Sequence, residues 1–101
     1  IVTDGKKAYI IRNGHQMMSR ITGTGCMLSC VVGSYCAANP GDALDAAAAA
    51  VCAMGLCGEL AYDKAAAGDG GTASFRTYLI DAMSRMTPAI LAGGAKYESR
   101  P

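Results

Sequence analysis

The sequence predicts an α/β layer architecture, in which a short strand hairpin leads through a glycine loop into a set of helices. Three observations carry this reading. Two short apolar runs flank the Asp4-Gly5 pair near the start of the chain. The stretch "RITGTGCMLSC" at 20–30 then switches the apolar pattern to a spacing of three and four. Residues 43–67 form an alanine-rich run far too long for a strand.

Bulk composition bounds the function. The chain has 101 residues, within the range of one small domain, and is 51% apolar and 17% charged, so it can bury a core and is not a disordered sequence. Net charge is +1 with no basic run, so neither nucleic acid nor an anionic membrane is expected as a partner. The longest apolar stretch is alanine-dominated and interrupted by Asp45 and Glu59, which favours a buried helix over a membrane span. No signal peptide is visible, and a cytoplasmic location is expected. The five cysteines (26, 30, 36, 52 and 57) form no C-x-x-C pair, and there is one histidine. Zinc or a disulfide scaffold is therefore not expected, and most of the thiols read as small buried groups in a reducing compartment. The chain opens on "IVTDG", an apolar pair at the first residue, without an initiator methionine. It is expected to be the C-terminal portion of a longer protein.

Each element has a local reason. Residues 1–3 and 8–12 read as two strands joined by "DGKK", because glycine accepts the positive φ of a tight turn. "NGHQ" at 13–16 reads as a second turn and "MMSRI" as an extended return to the glycine loop. From Cys26 onward, Leu28, Val31, Val32 and Tyr35 give one large apolar helical face, with Cys26, Ser29, Cys30, Gly33 and Ala37 a neighbouring small one. "NPGD" ends that helix. Asp42 is then a plausible N-cap with Asp45 three residues on, in the manner of a capping box. Gly55 and Gly58 in the next helix each cost about 1 kcal/mol relative to alanine, which close packing or ligand approach would explain, packing being favoured. "GDGG" closes it, and Thr72 is expected to cap a third helix to about Met86. Phe75, Tyr78, Leu79, Ala82, Met83 and Met86 form its apolar stripe. Pro88 follows, and the tail 87–101 reads as a fraying end.

The loop Thr22, Gly23, Thr24, Gly25 and Cys26 passes straight into a helix, gathering successive backbone N–H groups at the positive end of the dipole. It lacks the lysine of a P-loop and the third glycine of a dinucleotide fingerprint. From the residues alone it is either an anion site or an ordinary glycine turn. Cys26 is either a thiolate or base activated by the helix N-terminus, or a small filler beneath the loop.

The segment "RNGHQMMSRITGTGCMLSCVVGSYCA" resembles the signature of the hydroxyethylthiazole kinase family, a thiamine-salvage family with a ribokinase-like fold. "AAAAAVCAMGLCGELA" is similar to the family's next helix and "GGTASFRTYLIDAM" to its final one. The likeness runs through residues 1–86 and is most specific at Asn13, Gly14 and His15 and from Thr22 to Cys26. The final helix begins "GGTASF" where the family usually has G-P-G-S-F, so Ala73 replaces a glycine.

The resemblance implies a three-layer α/β/α kinase domain, with strands and anion-hole loop at 1–25, helices at 26–86 and a tail at 87–101. It implies transfer of the ATP γ-phosphoryl, with Mg2+, to the alcohol of 4-methyl-5-(2-hydroxyethyl)thiazole. Gly23, Thr24, Gly25 and Cys26 would form the anion hole, with Gly23 and Cys26 beside the substrate. Cys26 would take the place of the aspartate base of related sugar kinases. Thr22, Asp4 and Gly5 would lie towards the nucleotide, the last two being equally explained by the hairpin. His15 would orient the loop or simply satisfy its turn. The metal ligands are expected upstream, and a homotrimer with the thiazole site at the subunit junction is implied. A sibling kinase for another small alcohol such as hydroxymethylpyrimidine, and a non-catalytic fragment that only packs or oligomerises, are the competing readings.

Overall fold

Alanine-rich helix α2, Ala43–Ala67, organises the molecule. The computed structural model describes all residues from Ile1 to Pro101. In chain order the elements are β1 (Val2–Thr3), β2 (Ala8–Ile11), a 3-10 segment (Gln16–Arg20), α1 (Thr24–Ala38), α2, α3 (Thr72–Ser84), α4 (Pro88–Gly94) and β3 (Tyr97–Arg100). Of the 14 fully buried residues, all but Phe75 and Leu79 lie on α2. Small side chains allow this: α1, α3, α4 and the sheet all approach the one helix.

The hairpin pairs as expected, Val2 opposite Tyr9 and Thr3 opposite Ala8, around Gly5 at φ +90°. The Asp4 carboxylate accepts from the Lys6 and Lys7 amides, both at 2.9 Å. The Lys7 and then the Lys6 amide hold its pKa below the usual carboxylate value. The chain belongs to the mixed α/β class, with the sheet laid against α2.

Several expectations are corrected. The tail 87–101 does not fray. Thr87 caps α4, its Oγ1 accepting from the Ile90 amide at 3.2 Å, with Pro88 at the first helical position. β3 then pairs antiparallel with β2, Ile11 opposite Tyr97 and Ala8 opposite Arg100, so β2 is the centre of a three-stranded sheet. The return "MMSRI" is a 3-10 turn rather than an extended strand, because His15 Nδ1 accepts from the Met17 amide at 3.0 Å and starts a helical turn.

The Asp42–Asp45 capping box does not form. Asp42 sits at the N-cap without a side-chain bond, and the Asp45 carboxylate instead accepts from Tyr9 Oη at 2.6 Å. Gly71, not Thr72, is the N-cap of α3. Only Cys52 and Cys57 of the five thiols are buried, while Cys26 and Cys30 are exposed. Both belong to the small face of α1, which lies on the solvent side in these residues.

The glycines of α2 are explained by close approach. A Cβ on Gly55 would stand 2.7 Å from the backbone carbon of Asn13, and one on Gly58 would overlap the Met18 thioether. α2 thus receives the segment 13–18 directly against its backbone.

Candidate active site

Gly23 sits at φ +98°, a left-handed conformation that a side chain would strain, and it turns the chain abruptly into α1. The helix begins at Thr24, two residues earlier than the sequence pattern suggests, so Thr24, Gly25 and Cys26 form its first turn. Their backbone amides and that of Gly23 donate to no acceptor in the chain. The first satisfied amide is that of Met27, which donates to the Gly23 carbonyl at 2.9 Å. No side chain caps this end. Four consecutive donors, together with the positive end of a 15-residue helix, therefore converge on one uncapped point. That arrangement favours a bound anion.

The Cys26 side chain is exposed on this first turn, next to the free amides. Ser29, on the same face, turns away to donate to the Gly25 carbonyl at 3.1 Å. The loop itself is anchored from below: Thr24 Oγ1 donates to the Met18 carbonyl at 3.2 Å, joining the helix start to the 3-10 turn.

Other candidates fall elsewhere. Thr22 is exposed at the approach to the loop. Asp4 lines a shallow surface depression with Gly41, Asp42 and Asp45, and with Gly5 lies towards the far end of α1. Fifteen residues at 1.5 Å each put that end about 20 Å from Gly23. The structure therefore brings residues 23–26 together and sets Asp4 and Gly5 apart from them. His15 caps the 3-10 turn and stacks on Tyr62, with ring centroids 3.7 Å apart and planes at 17°. It therefore satisfies its own turn and docks that turn on α2 through Tyr62.

Sequence reasoning missed one group. Glu59 of α2 keeps only 20% of its side-chain exposure and accepts from the Asn13 side-chain amide at 2.6 Å, the Gly14 amide at 3.3 Å and the Lys96 ammonium. Burial pushes its pKa up, but the bonds from Lys96, Asn13 and Gly14 outweigh it and hold the carboxyl below the usual range. A glutamate directly after the buried run 52–58 of an alanine-rich helix was the available signal, since such a charge is kept only where partners meet it.

Comparison with known proteins gives the same frame. The model of the hydroxyethylthiazole kinase family matches residues 1–89. A protein named hydroxyethylthiazole kinase from Clostridium acetobutylicum is 48% identical over 99 residues, covering 98% of this chain and 36% of the relative. Hydroxyethylthiazole kinase 2 of Methanosphaera stadtmanae is 49% identical over 86 residues, or 85% of this chain and 30% of the relative. The solved structure of a hydroxyethylthiazole kinase protein from Pyrococcus horikoshii OT3 superposes with a TM-score of 0.84 at 30% identity, covering 98% of this chain and 37% of that one. The chain spans about a third of the length of the relatives it matches. On the family match over residues 1–89, the chain belongs to the hydroxyethylthiazole kinase family.

Proposed function

We propose that this chain supplies the anion hole and the substrate-side thiol of an enzyme that phosphorylates the alcohol of 4-methyl-5-(2-hydroxyethyl)thiazole with ATP. The observation that carries the reading is the set of four unclaimed amides at residues 23–26 beside the exposed thiol of Cys26. The alcohol oxygen attacks the γ-phosphorus, and the bond from that phosphorus to the β,γ-bridging oxygen breaks. The amides of Gly23, Thr24, Gly25 and Cys26 hold the charge that gathers on the transferring group. Losing such a donor typically costs about 3 kcal/mol of transition-state stabilisation.

Cys26 receives or orients the proton of the alcohol. Phosphoryl transfer has a loose transition state with little early deprotonation of the nucleophile, so a thiol suffices where sugar kinases use a carboxylate. Thr22, Asp4 and Gly5 are assigned to the nucleotide side, with Thr22 the nearer to the reacting group. Magnesium accompanies ATP in this reading. No three acidic, histidine or cysteine side chains converge within this chain, and the metal ligands are assigned to the remaining two-thirds of the family length. The ribokinase-like three-layer domain, a homotrimer with the thiazole site at a subunit junction and a cytoplasmic location complete the reading. Family membership supports them.

The test is phosphorylation by the full-length enzyme with ATP, comparing the thiazole alcohol with hydroxymethylpyrimidine. Preference for the thiazole supports the reading. Preference for the pyrimidine assigns the chain to the sibling activity, and turnover of neither leaves the chain a packing or assembly element.

A further inference from the structure

We propose that Glu59 is a positioning residue for the anion hole, acting across α2 on the segment that leads into residues 23–26. The proposal rests on the kinase reading for its consequence in turnover, but its structural part stands alone. A continuous set of contacts runs from Glu59 to the loop. Its carboxylate accepts from Asn13 Nδ2 at 2.6 Å and from the Gly14 amide at 3.3 Å, at the start of the approach segment. One helical turn away, His15 stacks on Tyr62 and caps the 3-10 turn. Gly58, adjacent to Glu59, leaves the space in which Met18 lies. The Met18 carbonyl then accepts from Thr24 Oγ1 at 3.2 Å, and Thr24 is itself an anion-hole residue.

The same carboxylate takes the Lys96 ammonium, while Asn13 Oδ1 accepts from the Lys96 amide at 2.7 Å and Asn13 Nδ2 donates to the Gly94 carbonyl at 2.9 Å. Glu59 thereby ties the approach segment directly to Lys96, the residue before β3, and Asn13 brings the end of α4 into the same cluster. The anion-hole amides are backbone groups, so only the path of the chain can aim them. A misplacement of about 1 Å in such a site costs on the order of a hundredfold in rate. Gly14 at φ +135° and Gly23 at φ +98° hold conformations that other residues rarely adopt, so side-chain sterics do not set the chain path at either end of the segment between them.

The experiment uses the full-length enzyme with Glu59→Gln, a change that keeps shape and one acceptor but removes the charge. It reads kcat and KM separately, thermal unfolding, and amide hydrogen exchange mapped by peptide. The expected result is a fall in kcat of roughly tenfold to a hundredfold with the KM for ATP nearly unchanged. Exchange should quicken in the 3-10 segment 16–20, where the Met17 and Met18 amides are bonded, while α2 and α3 stay protected. Glu59→Asp should recover part of the loss. Unchanged exchange in residues 16–20, or a loss spread over α2 and α3 in step with the melting temperature, would overturn the proposal. If Glu59→Gln does not fold, Lys96→Met on the exposed partner reads the same clamp through the same exchange map, and unchanged exchange there counts equally against it. If the wild type fails to phosphorylate the thiazole alcohol, the kinase reading falls, and the exchange map alone still decides whether Glu59 fixes the loop.

Discussion

The side-chain amide of Asn13 donates to the Glu59 carboxylate at 2.6 Å across 46 positions of sequence, and Gly55 lets the Asn13 backbone lie directly on α2. A residue just past the end of β2 is thereby tied to the central helix, ahead of the 3-10 turn that leads to the glycine loop.

Substituting the helix glycines tests that docking. Alanine gains about 1 kcal/mol of helix propensity over glycine, while overpacking costs about 1–3 kcal/mol. At Gly55 the obstacle is the Asn13 backbone, which cannot retreat without breaking its bond to Glu59, so Gly55→Ala is expected to destabilise. At Gly58 the obstacle is the flexible Met18 thioether, so Gly58→Ala is milder. Melting temperatures of the two full-length variants check the order, and a larger loss at Gly58 would contradict it.

Much of this is legible in the sequence. The Asp4-Gly5 hairpin, both bounds of α2 and the apolar stripe of α3 follow from turn chemistry and helical spacing, and all are observed. The glycine loop is legible as a turn into a helix, whereas from the residues alone it reads equally as an anion site or an ordinary glycine turn. What escapes the sequence depends on partners remote along the chain. β3 is short and polar, and it becomes a strand only because β2 offers it an edge. Asp45 has the spacing of a cap, but Tyr9 claims its carboxylate. Thr87 and Pro88 do carry a local helix-start signal, a capping threonine before proline, but a proline after a helix signals a stop equally well. Glu59 belongs to no motif at all, and its role exists only where Asn13, Gly14 and Lys96 converge.

Acid should release the Glu59 clamp. Its folded pKa lies below the ordinary value of 4.5, so its contribution is fully present above that value and is lost as the pH falls through the depressed one. Melting temperatures of wild type and Glu59→Gln should therefore begin to draw together as the pH falls below about 4.5 and meet only below the depressed value. A gap that stays constant into strong acid would show that the carboxylate charge contributes nothing.

The opposite sign holds at high pH. Burial pushes the Cys57 thiol up from 9.0 to about 11, so the fold keeps it protonated where the unfolded chain would not. Stability should fall as the pH rises from about 9 towards 11, and Cys57→Ala should flatten that fall at the cost of a small cavity. An identical alkaline slope in both proteins would contradict the assignment.

Thiol labelling separates the cysteines by position. Cys26 and Cys30 are exposed and should react with an alkylating reagent in the native state, while Cys52 and Cys57 should react only after unfolding. Peptide mapping of the labelled sites reads this directly. Protection of Cys26 by added ATP and thiazole alcohol would place the ligands over the loop.

Turnover of the full-length enzyme with cysteine, aspartate and alanine at position 26 tests the central claim most directly, that residues 23–26 hold the transferring phosphoryl group with the Cys26 thiol at the acceptor alcohol. Cys26→Asp is expected to match or exceed the wild-type kcat, and Cys26→Ala to lose part of it while the backbone amides sustain the remainder. Equal rates for the wild type and Cys26→Ala would show that the thiol takes no part in the reaction.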